Sequence, residues 1–128
     1  MPDVDLDGQW AVVDAFLAAA RAGDFERLLA VLDPEVVLRS DGGAARPALM
    51  SLVHGARAVA EQAMTFRRFT ETATRILVNG APGGVAWAPD GSPFAVLAMT
   101  VKGGRIVAID ILADPDRLSR LDLTVVAG

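Results

Sequence analysis

Residues 94–112, Phe94-Ala95-Val96-Leu97-Ala98-Met99-Thr100-Val101-Lys102-Gly103-Gly104-Arg105-Ile106-Val107-Ala108-Ile109-Asp110-Ile111-Leu112, decide how the rest of the chain is read. Two runs rich in Val, Ile, Leu and Ala are split by a Gly-Gly pair, which accepts the positive φ values of a tight reversal. The stretch therefore predicts two antiparallel strands, 94–102 and 105–112, closed by a hairpin. Toward the N-terminus, residues 73–78 and 83–88 have the same texture, with Asn79-Gly80 and Pro89-Asp90-Gly91 as turns. The second half of the chain is thus a predicted meander of four antiparallel strands.

The first half has a different period. Trp10, Val13, Leu17 and Ala20 recur at helical spacing, with Val12, Phe16 and Ala19 widening the stripe. They predict a helix over 8–22, capped by Asp7 and stopped at Gly23. Asp24 is placed to cap a second helix over 25–32, carrying Phe25, Leu28, Leu29 and Leu32, with Pro34 just beyond it. Residues 36–40 read as a short strand, broken by Asp41-Gly42-Gly43. The Ala-, Gly- and Pro-rich stretch to Gly55 reads as irregular. A third helix is predicted over 56–69, with Val59, Ala63 and Phe66 on one face. A short helix over 114–121 and an apolar tail over 122–128 close the chain, and residues 1–7 are a loose lead-in. Helices and strands that segregate in this way predict one α+β domain, a curved antiparallel sheet wrapped around three helices. The concave face of such a sheet is where a small apolar molecule is expected to bind.

Composition limits the chemistry. The chain has 128 residues, 52% hydrophobic and 22% charged, with a formal net charge of −4. That charge, with basic residues scattered rather than striped, argues against direct nucleic-acid binding. With no cysteine and one histidine, His54, neither disulfides nor a Cys- or His-cluster metal site is available, and no cofactor is expected. The acidic start, Met1-Pro2-Asp3-Val4-Asp5, lacks the basic opening of a signal peptide. No apolar run approaches the roughly 20 residues that span a bilayer. A cytoplasmic location is the expectation.

Some residues stand out against this background. Asp110 interrupts an apolar strand, where alternation puts Ile106, Ala108, Asp110 and Leu112 on one face. If that face lines a pocket, desolvation makes Asp110 a candidate base; otherwise it is a solvated aspartate or an arginine's partner. His54 is a candidate acid/base by its ordinary pKa, or a surface residue at a helix entrance. Arg39 either receives an anionic ligand or pairs with Asp41 or Asp110. Phe16, Phe66, Trp87 and Met99 are candidate pocket walls, each with core packing as the alternative. Asp14 with Arg21 and Asp24 with Arg27 read as helix-surface pairs.

The element order, with Val13-Asp14-Ala15-Phe16 and Gly23-Asp24-Phe25, resembles the SnoaL-like, nuclear-transport-factor-2-like (NTF2-like) superfamily. Residues 12–21, 32–39, 77–81 and 104–118 resemble more narrowly the SnoaL-like extension of extracytoplasmic-function sigma factors of the sigma-J type. That family carries a DGGGK-like motif, present here as Asp41-Gly42-Gly43 without the lysine. Its NPDKL-like motif stands here as Asp114-Pro115-Asp116-Arg117-Leu118. The resemblance implies a regulatory domain that touches sigma regions, and through them RNA polymerase, using these two segments. The same superfamily includes ketosteroid isomerases, whose catalytic tyrosine, base and second acid fall on Phe16, Arg39 and Leu97, so that chemistry is not expected. An alternative is an enzyme of the cyclase or hydrolase kind using Asp110, the role SnoaL cyclases give a late aspartate. An exposed apolar sheet face is common in this fold and would favour a homodimer.

Overall fold

The computed structural model describes residues 5–43, 51–65, 67, 73–120 and 123–125. Its elements run α1 (Leu6–Ala22), α2 (Phe25–Val31), β1 (Leu32–Asp41), β2 (Ser51–His54), α3 (Ala56–Thr65), β3 (Thr74–Val78), β4 (Ala81–Trp87), β5 (Pro93–Lys102), β6 (Arg105–Leu112), α4 (Pro115–Leu118) and β7 (Leu123–Val125). The strands form one curved sheet in the order β2-β1-β6-β5-β4-β3-β7.

The helical hairpin α1–α2 is built as its residues dictate. Gly23 ends α1 in the left-handed region at φ 67°. Its N–H donates to Ala20 O, and the Asp24 N–H donates to Ala19 O at 2.9 Å, which satisfies carbonyls the helix leaves open. Asp24 then caps α2, accepting from the Arg27 N–H at 3.2 Å. The expected start of α1 is corrected. The N-cap is Asp5, not Asp7, and Asp7 lies in the first turn, where its charge complements the helix dipole.

Four further features depart from the sequence reading, the first being that residues 123–125, read as part of an apolar tail, form β7 and pair antiparallel with β3. Residues 51–54, read as irregular, form an edge strand paired antiparallel with β1, Val37 facing His54 and Ser40 facing Ser51. Four residues are too few to display a period of two. β1 itself starts earlier than expected, at Leu32, and carries an irregularity between Leu32 and Val37 against β6. Pro34, which has no N–H to give a ladder, sits in that interruption. Finally, the sheet is not wholly antiparallel, because β1 runs parallel to β6, with Arg39 opposite Asp110. The meander β3–β6 is antiparallel throughout, as its turns predict.

Each face of the sheet has its own apolar cluster. On the helix side, Val13, Phe16 and Leu17 of α1 and Leu28 of α2 pack with strand residues such as Leu38, Met99 and Ile109. On the outer face, Ile76, Val85 and Val96 are covered by Leu118 of α4. The segment after β6 therefore crosses the outer face before β7 pairs with β3.

Candidate functional site

Beside that crossing lies an open cleft of about 490 Å3. Its floor is apolar, made by Val78, Val96, Ala98 and Leu112, and its charged wall by Arg39, Asp110, Asp41 and Arg117. Asn79, at the β3–β4 turn with φ 49°, also lines it. Two ion pairs organise the wall. Arg39 Nε donates to Asp110 Oδ1 at 3.0 Å, bridging β1 and β6. Arg117 Nη1 donates to Asp41 Oδ2, bridging α4 and the end of β1.

The two motif segments meet here as one unit. Asp41 is the joint: its Oδ1 accepts from the Gly43 N–H at 2.8 Å, and its carbonyl accepts from the Ala113 N–H at 2.8 Å. Gly43 holds φ 64°, and a Cβ at that position would stand 2.5 Å from Asp114 Cγ and 2.9 Å from Asp114 Cβ. Only glycine fits there without moving its neighbour. Asp114 in turn caps α4, its Oδ1 accepting from the Asp116 N–H, and Pro115 occupies the first helical turn, where its missing N–H costs nothing. Gly42 and Leu118 are buried, whereas Pro115, Asp116 and Arg117 are exposed.

The other singled-out residues disperse. Arg39 and Asp110 come together on the outer face, both substantially open to solvent. The face expected for Asp110 needs correction: an irregularity opposite Thr100 and Val101 breaks the alternation of β6. As a result Ile106 packs in the helix-side cluster, while Asp110 and Leu112 border the outer cleft. Phe16 and Met99 are core residues at 2% and 3% exposure on the helix side. Trp87 is 36% exposed at the end of β4 and donates its indole N–H to Thr74 Oγ1 at 2.8 Å. Phe66 lies outside the described residues. His54 stands at the end of β2, Nε2 3.2 Å from the Glu35 carboxylate, and so is not paired with Asp110. Leu97, like Phe16, packs in the helix-side cluster, whereas Arg39 borders the outer cleft. The three positions matched to isomerase catalysis thus hold two apolar groups on one face and a cation on the other.

The expected surface pair of Asp14 with Arg21 is also corrected. Asp14 engages Arg75 Nε at 2.9 Å, and Arg21 donates to the Ala73 carbonyl at 2.7 Å, so α1 is tied to and around β3 rather than to itself. The Arg75 guanidinium also lies 4.3 Å from the Trp10 ring centroid. Among the described residues no three of His, Asp or Glu gather as a metal-ligand set. No helix among them is long and apolar enough to cross a membrane. Sequence reading missed the cleft floor and Asn79; the Asn79-Gly80 turn was visible, but not that Asn79 lines a cleft.

No protein-family model matches the sequence, and no curated protein matches it. Solved structures do. Extracytoplasmic function sigma factor SigJ of Mycobacterium tuberculosis superposes with a TM-score of 0.74 at 24% identity, over 88% of this chain and 44% of that one. The chain thus spans less than half the length of that sigma factor. An NTF2-like protein of Burkholderia xenovorans matches at TM-score 0.61 and 20% identity, over 92% of this chain and 98% of its own. One from Mesorhizobium loti matches at 0.60 and 20%, over 89% and 97%. In fold, the chain is an NTF2-like, SnoaL-like α+β domain.

Proposed function

We propose that this chain is a regulatory domain of an extracytoplasmic-function sigma factor, acting on the sigma regions that engage RNA polymerase and promoter. The observation that carries this reading is the union of the two motif segments. Residues 41–43 and 114–118, distant in sequence, are joined through Asp41 into one surface with Asp116 and Arg117 outward. Its polar, solvated character suits a transient docking face. The fold shared with a sigma factor supports the same context. The reading carries with it a cytoplasmic location and RNA polymerase as the indirect partner. A homodimer would use the uncovered end of the outer face, where Leu52 of β2 is 72% exposed. Catalysis by Asp110 has less support, since its carboxylate is engaged by Arg39 and open to solvent.

The test is biolayer interferometry of the purified domain against a sigma fragment lacking it, from the same gene or a close relative. The expected result is saturable binding that weakens about tenfold on Asp116→Lys, a change to an exposed side chain. Glu35→Lys, on the far edge of β1, serves as the control. Absence of binding at about 100 μM, or equal binding by the Asp116→Lys domain, refutes the reading.

A further inference from the structure

The outer-face cleft has a property the docking surface does not require. Its volume of about 490 Å3 falls within the range of small-molecule sites, roughly 300–1,000 Å3. Its floor offers only aliphatic carbon, from Val78, Val96, Ala98 and Leu112. Its wall carries two guanidinium groups whose charges are only partly engaged. Arg39 commits Nε to Asp110, and its Nη edge has no partner among the described residues. Arg117 commits Nη1 to Asp41 Oδ2, and the other Asp41 oxygen accepts from the Gly43 N–H. A guanidinium presents its N–H groups as a planar fork, and an open fork edge beside an apolar floor matches a carboxylate on an apolar stem. We infer that this cleft is a binding site for a small monocarboxylic acid, its chain lying on the floor and its carboxylate held by Arg39 and Arg117.

The site lies on the face of the sheet opposite the three long helices, so it is distinct from the concave pocket expected at the outset. On the helix side, Phe16, Leu97 and Met99 belong to the core cluster. The acid's stem displaces water from aliphatic carbon while its head stays at the solvated rim. Asn79, whose amide can donate a hydrogen bond, lines the same cleft. The inference does not rest on sigma-factor docking, although Asp41 and Arg117 belong to both surfaces.

The experiment is a titration of the labelled domain with hexanoate at neutral pH, followed by amide chemical shifts, with hexanamide as the uncharged probe of the same shape. Saturable shifts at Asn79, Ala98 and Asp110 are expected, with hexanamide weaker by about tenfold. Arg39→Met is expected to weaken hexanoate by a similar factor and leave hexanamide unchanged. Unaltered resonances from Leu17 and Ile106 will show that the variant keeps its core. Three results overturn the inference: no saturation, equal binding of the two probes, or shifts confined to the helix-side core. If hexanoate does not bind while the sigma fragment does, the acid site is refuted and the docking reading stands. If hexanoate binds and the sigma fragment does not, the reverse holds.

Discussion

Replacing Gly43 by alanine isolates the contact that joins the two motif segments. Two penalties act together. An L-residue at φ 64° pays for the left-handed conformation, roughly 1–2 kcal/mol. The new Cβ also meets Asp114, at 2.5 Å from Cγ and 2.9 Å from Cβ. Because Asp114 Cβ is fixed by the backbone, rotating χ1 does not relieve the contact, and Asp114 must shift away from the N-terminus of α4. Losing that cap costs about 1 kcal/mol. The sum is about 2–3 kcal/mol, or a fall in Tm of about 8–12 °C for a domain of this size. Gly103→Ala supplies the comparison, since Gly103 has φ 62° with nothing within 4 Å of its Cβ. It should show the conformational penalty alone. Urea denaturation followed by circular dichroism measures both. In the double variant Gly43→Ala/Asp114→Gly the two costs should fail to add, because both Asp114 atoms that meet the new Cβ, Cβ and Cγ, are then gone. Equal destabilisation by Gly43→Ala and Gly103→Ala would refute the claim that Gly43 is there for Asp114.

Other expectations follow from the packing and the charges. Ile76→Ala removes a side chain with no exposed surface from the outer cluster, and should cost about 3 kcal/mol in urea denaturation. Arg75→Met removes both the ion pair with Asp14 and the stack on Trp10. The expected loss is about 1 kcal/mol, with a shift in Trp10 emission read in a Trp87→Phe background; an unchanged spectrum contradicts the stack. Asp90, in the β4–β5 turn, is held below its ordinary carboxylate pKa of 3.8 by the Ser92 hydroxyl and then by the Ser92 amide. A depressed folded pKa stabilises above the ordinary value, and that contribution is lost as pH falls through the lowered one. In Ser92→Ala, carbon-detected titration should show the Asp90 carboxyl moving up toward 3.8, and no movement would discard the assignment.

Local signals were legible and non-local ones were not. Gly103-Gly104 marks the β5–β6 hairpin without ambiguity, and Gly23-Asp24 marks the α1–α2 junction, because each is a few residues' own conformational preference. β2 was invisible, since Leu52 and Val53 form a strand only because β1 offers a free edge. The sequence reading left Arg39 with Asp41 or Asp110 as partner, and the choice of Asp110 depends on the register of a parallel pair distant in sequence. The orientation of β6 was misjudged at Ile106 because strict alternation assumes an unbroken ladder, and the ladder opposite Val101 is irregular. The proximity of the 41–43 and 114–118 segments has no local signature. Once the fold is known, Gly43 and Asp114 acquire a stereochemical reason.

The parallel pairing of β1 with β6 also bears on the order of events during synthesis. Arg39 and Asp110, neighbours on adjacent strands, are separated by 71 positions in the chain. Closing a loop of that size costs about 4 kcal/mol of chain entropy, while the β5–β6 hairpin closes over a two-residue turn. On the ribosome, β1 therefore emerges long before the strand that will flank it, and waits with only β2 and the helices for company. Its charged residues Glu35, Arg39 and Asp41 then guard an open edge against pairing with another nascent chain. The same arginine that ends beside Asp110 first serves as a deterrent to aggregation.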